Sequence, residues 1–243
     1  MVEWSEEFML YFNIEKCKVM HFGGSNPKMN YSMKDEVLHK SETERDLGVT
    51  INTNLSFATH INTQINKANQ ALGLVKRTFS YLSEDLFRNV YLTYIRPHLE
   101  YCVQAWSPFL QGDIEKLEKF QRRATKLVPS LSELPYEERI EKLQIRIPTL
   151  KERRIRGDMI ETFKIIKGYE NMNTEDFFQQ RVYPGQLRGH NFMLQKHHSN
   201  KDKRKNTFSQ RVVNKWNELP IEVIESSSVN IFKNRLDNHR RRY

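Results

Sequence analysis

Three histidines, His190, His197 and His198, stand close together in a polar stretch, and metal binding is the chemistry their grouping would serve. Zinc takes four ligands, and the surrounding region has no cysteine and no regular ligand spacing, so loop histidines without a metal are expected. Cys102 lies among Tyr101, Val103 and Trp106, an apolar setting that suits an inert buried thiol rather than a nucleophile. Glu6-Glu7 and Glu137-Glu138 are adjacent pairs whose side chains diverge on a helix, the pattern of solvated faces. No GxxxxGK[ST] phosphate loop, GxSxG elbow or HExxH helix occurs, so no complete catalytic constellation is legible. What remains is cationic. Lys67, Lys76 and Arg77 lie on one stretch, Arg122, Arg123 and Lys126 on a second, and Arg153, Arg154 and Arg156 on a third. Such groups either neutralise phosphates, releasing condensed counterions, or solvate a surface.

These cations fall on segments with helical periodicity. Ile61, Ile65, Ala68, Leu72, Val75, Phe79 and Leu82 step by three and four, which places them on one stripe. Ser83 stands as the N-cap of a following helix with Glu84 and Asp85 in its first turn, and Pro97 should break or kink that helix near Ile95. Asp113 to Val128 turns Ile114, Leu117, Phe120, Ala124 and Leu127 inward and Lys116, Lys119, Arg122, Arg123 and Lys126 outward. Further helices are expected over Pro135 to Leu143, Thr149 to Ile166 with Gly168 as its stop, Phe208 to Leu219 and Val229 to His239. The first part of the chain differs. Trp4, Phe8 and Tyr11 or Phe12 recur at helical spacing, as in the last turns of a helix from a cut domain; Lys16 to Phe22 alternates like a strand ending at Gly23-Gly24, and Leu47 to Ile51 reads as a second strand. Residues 183 to 206, with few apolar anchors and the basic run KDKRK at 201 to 205, read as a long exposed loop ordered by a partner.

Charge follows the same division. Residues 1 to 59 carry six basic and nine acidic side chains, whereas the other 184 carry 33 and 21, so the net +9 of the 243-residue chain arises entirely in its helical part. A 38% hydrophobic content suffices for a core, yet no run approaches the roughly 18 apolar residues of a spanning helix, so no membrane association is expected. The opening residues carry acids where a secretory leader would carry basic residues, and two cysteines, Cys17 and Cys102, are too few for a disulfide scaffold. An intracellular location, nuclear or cytoplasmic, with both cysteines as reduced core thiols, is the expectation.

In order along the chain, FNIEKCKVMHFG, ERDLGVTI, KANQALGLVKRTF, IRPHLEYCVQAWSP, LEKFQRRATKLV, RRIRGDMIETFKIIKG, RGHNFML and FSQRVVNKWNELP resemble the C-terminal part of the reverse transcriptase of LINE-type, non-LTR retrotransposons of the jockey-like group. The resemblance implies a mainly α fold, a helical thumb-like bundle with a small β element, the remnant of a polymerase palm, at the amino terminus. It divides the chain into a palm remnant over 1–57, a thumb-like domain over 58–182, a basic flexible loop over 183–206 and a C-terminal helical extension over 207–243. Lys16 matches a palm lysine near the incoming nucleotide, a proton donor to leaving pyrophosphate or a phosphate ligand. The catalytic [FY]ADD motif of that family is absent from this sequence, so no acids are placed to hold the Mg²⁺ of the intact polymerase, and the chain alone is expected to synthesise no DNA. RNA, DNA or an RNA–DNA hybrid are the implied partners, met mostly at phosphates by Lys67, Lys76, Arg77, Arg122, Arg123, Lys126, Arg153, Arg154 and Arg156. Two other readings stay open: an interaction or structural domain whose palm remnant exposes Val19, Phe22 and Val49, and a polymerase subunit completed in trans.

Overall fold

A computed structural model of the chain describes residues 2–143, 149–181 and 190–240. It divides into two compact units, residues 1–63 and 64–243, each considered by itself. No described helix is long and apolar enough to cross a membrane.

The first unit opens with helix α1 (Val2–Glu7). Its apolar spacing brings Trp4 and Phe8 together at 5.2 Å between ring centroids, but Met9 takes a left-handed backbone and Leu10 donates back to the Ser5 carbonyl, which closes the helix before Tyr11. The expected stripe therefore stays largely in solvent, with Trp4 51% and Tyr11 68% exposed and Phe12 half-buried. The expected strand over Lys16 to Phe22 shrinks to β1 (Lys18–Val19), because Asn13 caps a 3-10 turn at Ile14–Lys16 and takes Lys16 out of the extended run. Strands β2 (Ser32–Met33) and β3 (Glu36–Val37) pair antiparallel, and β4 (His39–Lys40) lies parallel to β1. The best-formed element is the hairpin of β5 (Thr43–Asp46) and β6 (Val49–Asn52), with Thr43 opposite Asn52 and Asp46 opposite Val49. Leu47 and Gly48 both have positive φ, as a two-residue hairpin turn matched to strand twist requires, so the first two residues of the expected strand are turn. Val49 is 4% exposed, so it offers no surface to a partner, whereas Phe22 is exposed.

Helix α2 (Ala58–Thr78) runs out of this unit into the second. There α3 (Glu84–Val90) starts at Ser83, whose Oγ accepts the Leu86 amide at 3.3 Å. Pro97 does not end the helical run. A wide turn over Tyr91–Ile95, with Arg96 donating to the Tyr91 carbonyl five residues back, leads into α4 (Arg96–Glu100), and Pro97 sits in that helix's first turn, where its missing N–H costs nothing. Phe87, Tyr91, Ile95 and Leu99 thus stay on one fully buried stripe. After α5 (Val103–Trp106) come α6 (Gln111–Thr125), α7 (Tyr136–Lys142) and α8 (Leu150–Ile166). Cys102 precedes α5 in the left-handed region with its side chain exposed, not as a core thiol; the local turn outweighs its apolar neighbours. Gly168 ends α8 with φ +69°, placing the Tyr169 amide on the Lys164 carbonyl at 2.8 Å and its own amide on Ile165 at 3.2 Å.

Helices α9 (Asp202–Lys205), α10 (Phe208–Arg211), α11 (Val213–Asn217), α12 (Ile221–Ile224) and α13 (Val229–Arg240) complete the unit. Residues 207–240 share one core with α8: Phe163 stacks on Phe232 at 4.2 Å, and Trp216 lies 6.2 Å from Phe232. Of the segment read as an exposed loop, 183–189 lie outside the described residues. Residues 190–194 are anchored: Leu194 is buried and exchanges two hydrogen bonds with the Asn217 side chain, and the Trp216 indole donates to the Phe192 carbonyl at 2.8 Å. The sparse apolar residues missed this because the anchors are backbone groups held by distant polar side chains.

Candidate nucleic-acid interface

Helix α6 positions most of the outward cations, and its inward face explains why they point out. Leu117, Phe120 and Ala124 are buried, and so are Asp113, Glu118, Gln121 and Thr125, each of which needs a polar partner. Gln121 bridges two phenols, accepting from Tyr91 Oη and donating to Tyr136 Oη, both at 2.6 Å. Burial raises the Tyr91 phenol well above its usual range and pushes Tyr136 up to about 12, so both stay protonated. Arg139, itself buried, donates to Thr125 Oγ1 at 3.1 Å, to the Leu134 carbonyl and to the Arg122 carbonyl at 3.3 Å, which satisfies the carboxyl end of α6. Glu118 accepts the first two amides of α8, from Leu150 at 3.3 Å and Lys151 at 2.8 Å, and Thr149 Oγ1 accepts the Glu152 amide at 3.1 Å.

With that face pinned, Lys119, Arg122, Arg123 and Lys126 are exposed on the opposite one. Residues four apart on a helix are separated by about 6 Å along its axis, close to the rise of two nucleotides on one strand, so Lys119 with Arg123 and Arg122 with Lys126 suit phosphates two nucleotides apart. Arg122 lies 5.4 Å from the Tyr136 ring centroid, a contact that leaves its fork directed by an aromatic face. Arg123 donates to Asn69 Oδ1 on α2. Asn69 and Lys76 are seven residues apart, so they share a face of α2, and this contact brings Lys76, with Arg77 beside it, onto the side of α2 that meets Arg123. Lys67 is half-buried and two residues from Asn69, so it points elsewhere. Lys116 is held by Asp113 at 2.8 Å.

The third cluster is different. Arg153 makes a forked pair with Glu100, whose second bond is 2.9 Å, and Arg156 forks onto Asp237 at 2.6 and 3.0 Å. Arg154 is 3% exposed, its two terminal nitrogens find no hydrogen-bond partner among the described residues, and burial lowers its guanidinium pKa against the support of Glu118, Glu100 and Asp158. All three lie inside the structure of α8 and its neighbours rather than on the cationic face. Lys16 is exposed in the first unit, and among the described residues no group of three or more acids, histidines or cysteines could hold a metal ion.

Asn69, Glu118 and Arg139 escaped sequence reading. Each is a single polar residue on an amphipathic helix, and only its distant partner gives it a role. Lys119 was legible from its position one turn before Arg123. No protein-family model, curated protein or solved structure matches this chain.

Proposed function

We propose that this chain is a reverse-transcriptase-like helical protein without polymerase activity of its own, which binds the phosphate backbone of nucleic acid, an RNA–DNA hybrid above all, without sequence preference. The observation that carries this reading is the Arg123–Asn69 contact, which joins the α6 face of Lys119, Arg122, Arg123 and Lys126 to the face of α2 on which Lys76 follows Asn69 by two turns. Among the described residues no carboxylate lies within ion-pair distance of these cations. Unpaired exposed cations on two rigid helices are what counterion release requires, and backbone contacts of this kind position a duplex without reading its bases. The ordered blocks of resemblance to non-LTR retrotransposon reverse transcriptases support the same partner, and the helices then correspond to a thumb-like bundle. Access to nucleic acid places the chain in the nucleus or cytoplasm.

The test is anisotropy of a labelled RNA–DNA hybrid titrated with the full chain between roughly 50 and 200 mM salt. Binding that weakens with a log–log slope of about −0.9 per phosphate contact is expected. Primer extension with added Mg²⁺ should not exceed buffer. Absence of salt-dependent binding by folded protein would leave the second reading, a protein-interaction domain, which the exposed Trp4, Phe8, Met9 and Tyr11 of the first unit favour.

A further inference from the structure

We propose that the hollow between α6 and the first turn of α8 seats the terminal phosphate of a nucleic-acid strand, a step that rests on the nucleic-acid reading above and gives it an end-recognition site. The hollow encloses about 310 Å³ and is lined by Lys119, Arg122, Thr149 and Lys151 together with Glu115 and Glu118. Its two acids are already engaged. Glu118 receives the amides of Leu150 and Lys151, whose helix end carries partial positive charge, and the buried Arg154 guanidinium supports it further. Glu115 accepts from Gln111 Nε2 at 3.0 Å.

Lys119, Arg122 and Lys151 have no carboxylate within ion-pair distance among the described residues, and they reach the hollow from two different helices. Thr149 Oγ1 accepts the Glu152 amide, which leaves its O–H to donate. Three cations and a hydroxyl match a phosphomonoester, which carries about −1.5 to −2 at neutral pH and presents three acceptor oxygens. An internal phosphodiester has one charge and two tethers, so it suits the open face of α6 and not a recess. Lys119 and Arg122 belong to both surfaces, so a strand lying along α6 has its end beside the hollow.

The experiment uses the full chain and three RNA–DNA hybrids of one sequence, bearing a 5′-phosphate, a 3′-phosphate or hydroxyls only, with inorganic phosphate as competitor. A phosphorylated hybrid should bind tighter by roughly five- to tenfold, the size of one charge-assisted contact. Lys151→Gln should erase that difference and leave the hydroxyl-only hybrid unchanged, while Lys76→Gln with Arg77→Gln should weaken all three alike. Equal binding of phosphorylated and hydroxyl-only hybrids, or a preference that survives in Lys151→Gln, overturns the hollow's role and leaves the backbone interface standing. Inorganic phosphate that binds wild type but not Lys151→Gln, with no preference among hybrids, identifies free phosphate as the ligand and overturns the strand end. Failure of every hybrid to bind overturns both readings.

Discussion

The side chain of Glu118, in the middle of α6, accepts the backbone amide of Lys151 at 2.8 Å, so one helix supplies the amino-terminal cap of another 33 residues away. Together with Thr149 it satisfies the amides of Leu150, Lys151 and Glu152, three of the four that a helix start leaves without partners.

Replacing that carboxylate should therefore loosen α8 rather than only α6. Glu118→Gln is expected to cost about 1 kcal/mol and Glu118→Ala about 2 kcal/mol, the range for lost capping and for a buried donor left unmade. Urea unfolding monitored by circular dichroism reads both, and an unchanged midpoint in Glu118→Ala would show that the cap carries no weight.

Arg154 should behave in the opposite way. Its terminal nitrogens make no hydrogen bond among the described residues, while Glu100 is held by Arg153, Asp158 by Arg211 and Glu118 by the α8 amides. A buried guanidinium whose two terminal nitrogens stay unbonded among the described residues pays desolvation with little return, so Arg154→Met should be neutral or stabilising by up to about 2 kcal/mol. Thermal unfolding decides it; a loss of several degrees would show that the charge balances its three acidic neighbours.

Arginines of α6 and α8 should separate into two classes. Lys119→Gln with Arg123→Gln should weaken hybrid binding and shallow the salt slope by roughly 0.9 per lost contact, with little change in stability. Arg156→Gln should do the reverse, costing roughly 1–3 kcal/mol by stranding Asp237, which is mostly buried, with no change in salt slope. Equal effects of the two sets on binding would contradict the assignment.

Acid should destabilise the second unit through His190. Burial lowers its pKa below the ordinary 6.5, its Nδ1 accepts the Phe192 amide at 3.2 Å, and its ring lies edge-on to Trp216. The unfolded chain then binds the proton more readily, so the neutral ring's stability is complete above about pH 6.5 and is lost as pH falls through the lowered folded value. Urea midpoints from pH 7.5 to 5 should fall for wild type and fall less for His190→Gln; parallel slopes would assign the acid sensitivity elsewhere.

Local chemistry in the chain was enough to locate much of the helical part. Ser83, Thr149 and Gly168 mark helix ends because capping needs only residues within one turn, and the four-residue steps of Phe87, Tyr91 and Ile95 mark a buried stripe; its continuation to Leu99 past Pro97 was not legible, because the wide turn that carries it is not a local sequence signal. The first unit was less legible. Its strands are two to four residues long, too short for alternation to set their limits, and Met9 and Leu47 end or turn the chain with left-handed backbones that neither residue type announces.

By itself the sequence determined that positive charge gathers on amphipathic helices, and it put α6 and α8 in the same class. Only the tertiary structure decided between them. Arg153 meets Glu100 from 53 positions away and Arg156 meets Asp237 from 81, whereas Lys119, Arg122 and Lys126 meet no carboxylate among the described residues. Helical periodicity tells which side chains share a face, but whether a cation stays available for a phosphate depends on which distant acid the packing brings within hydrogen-bond range.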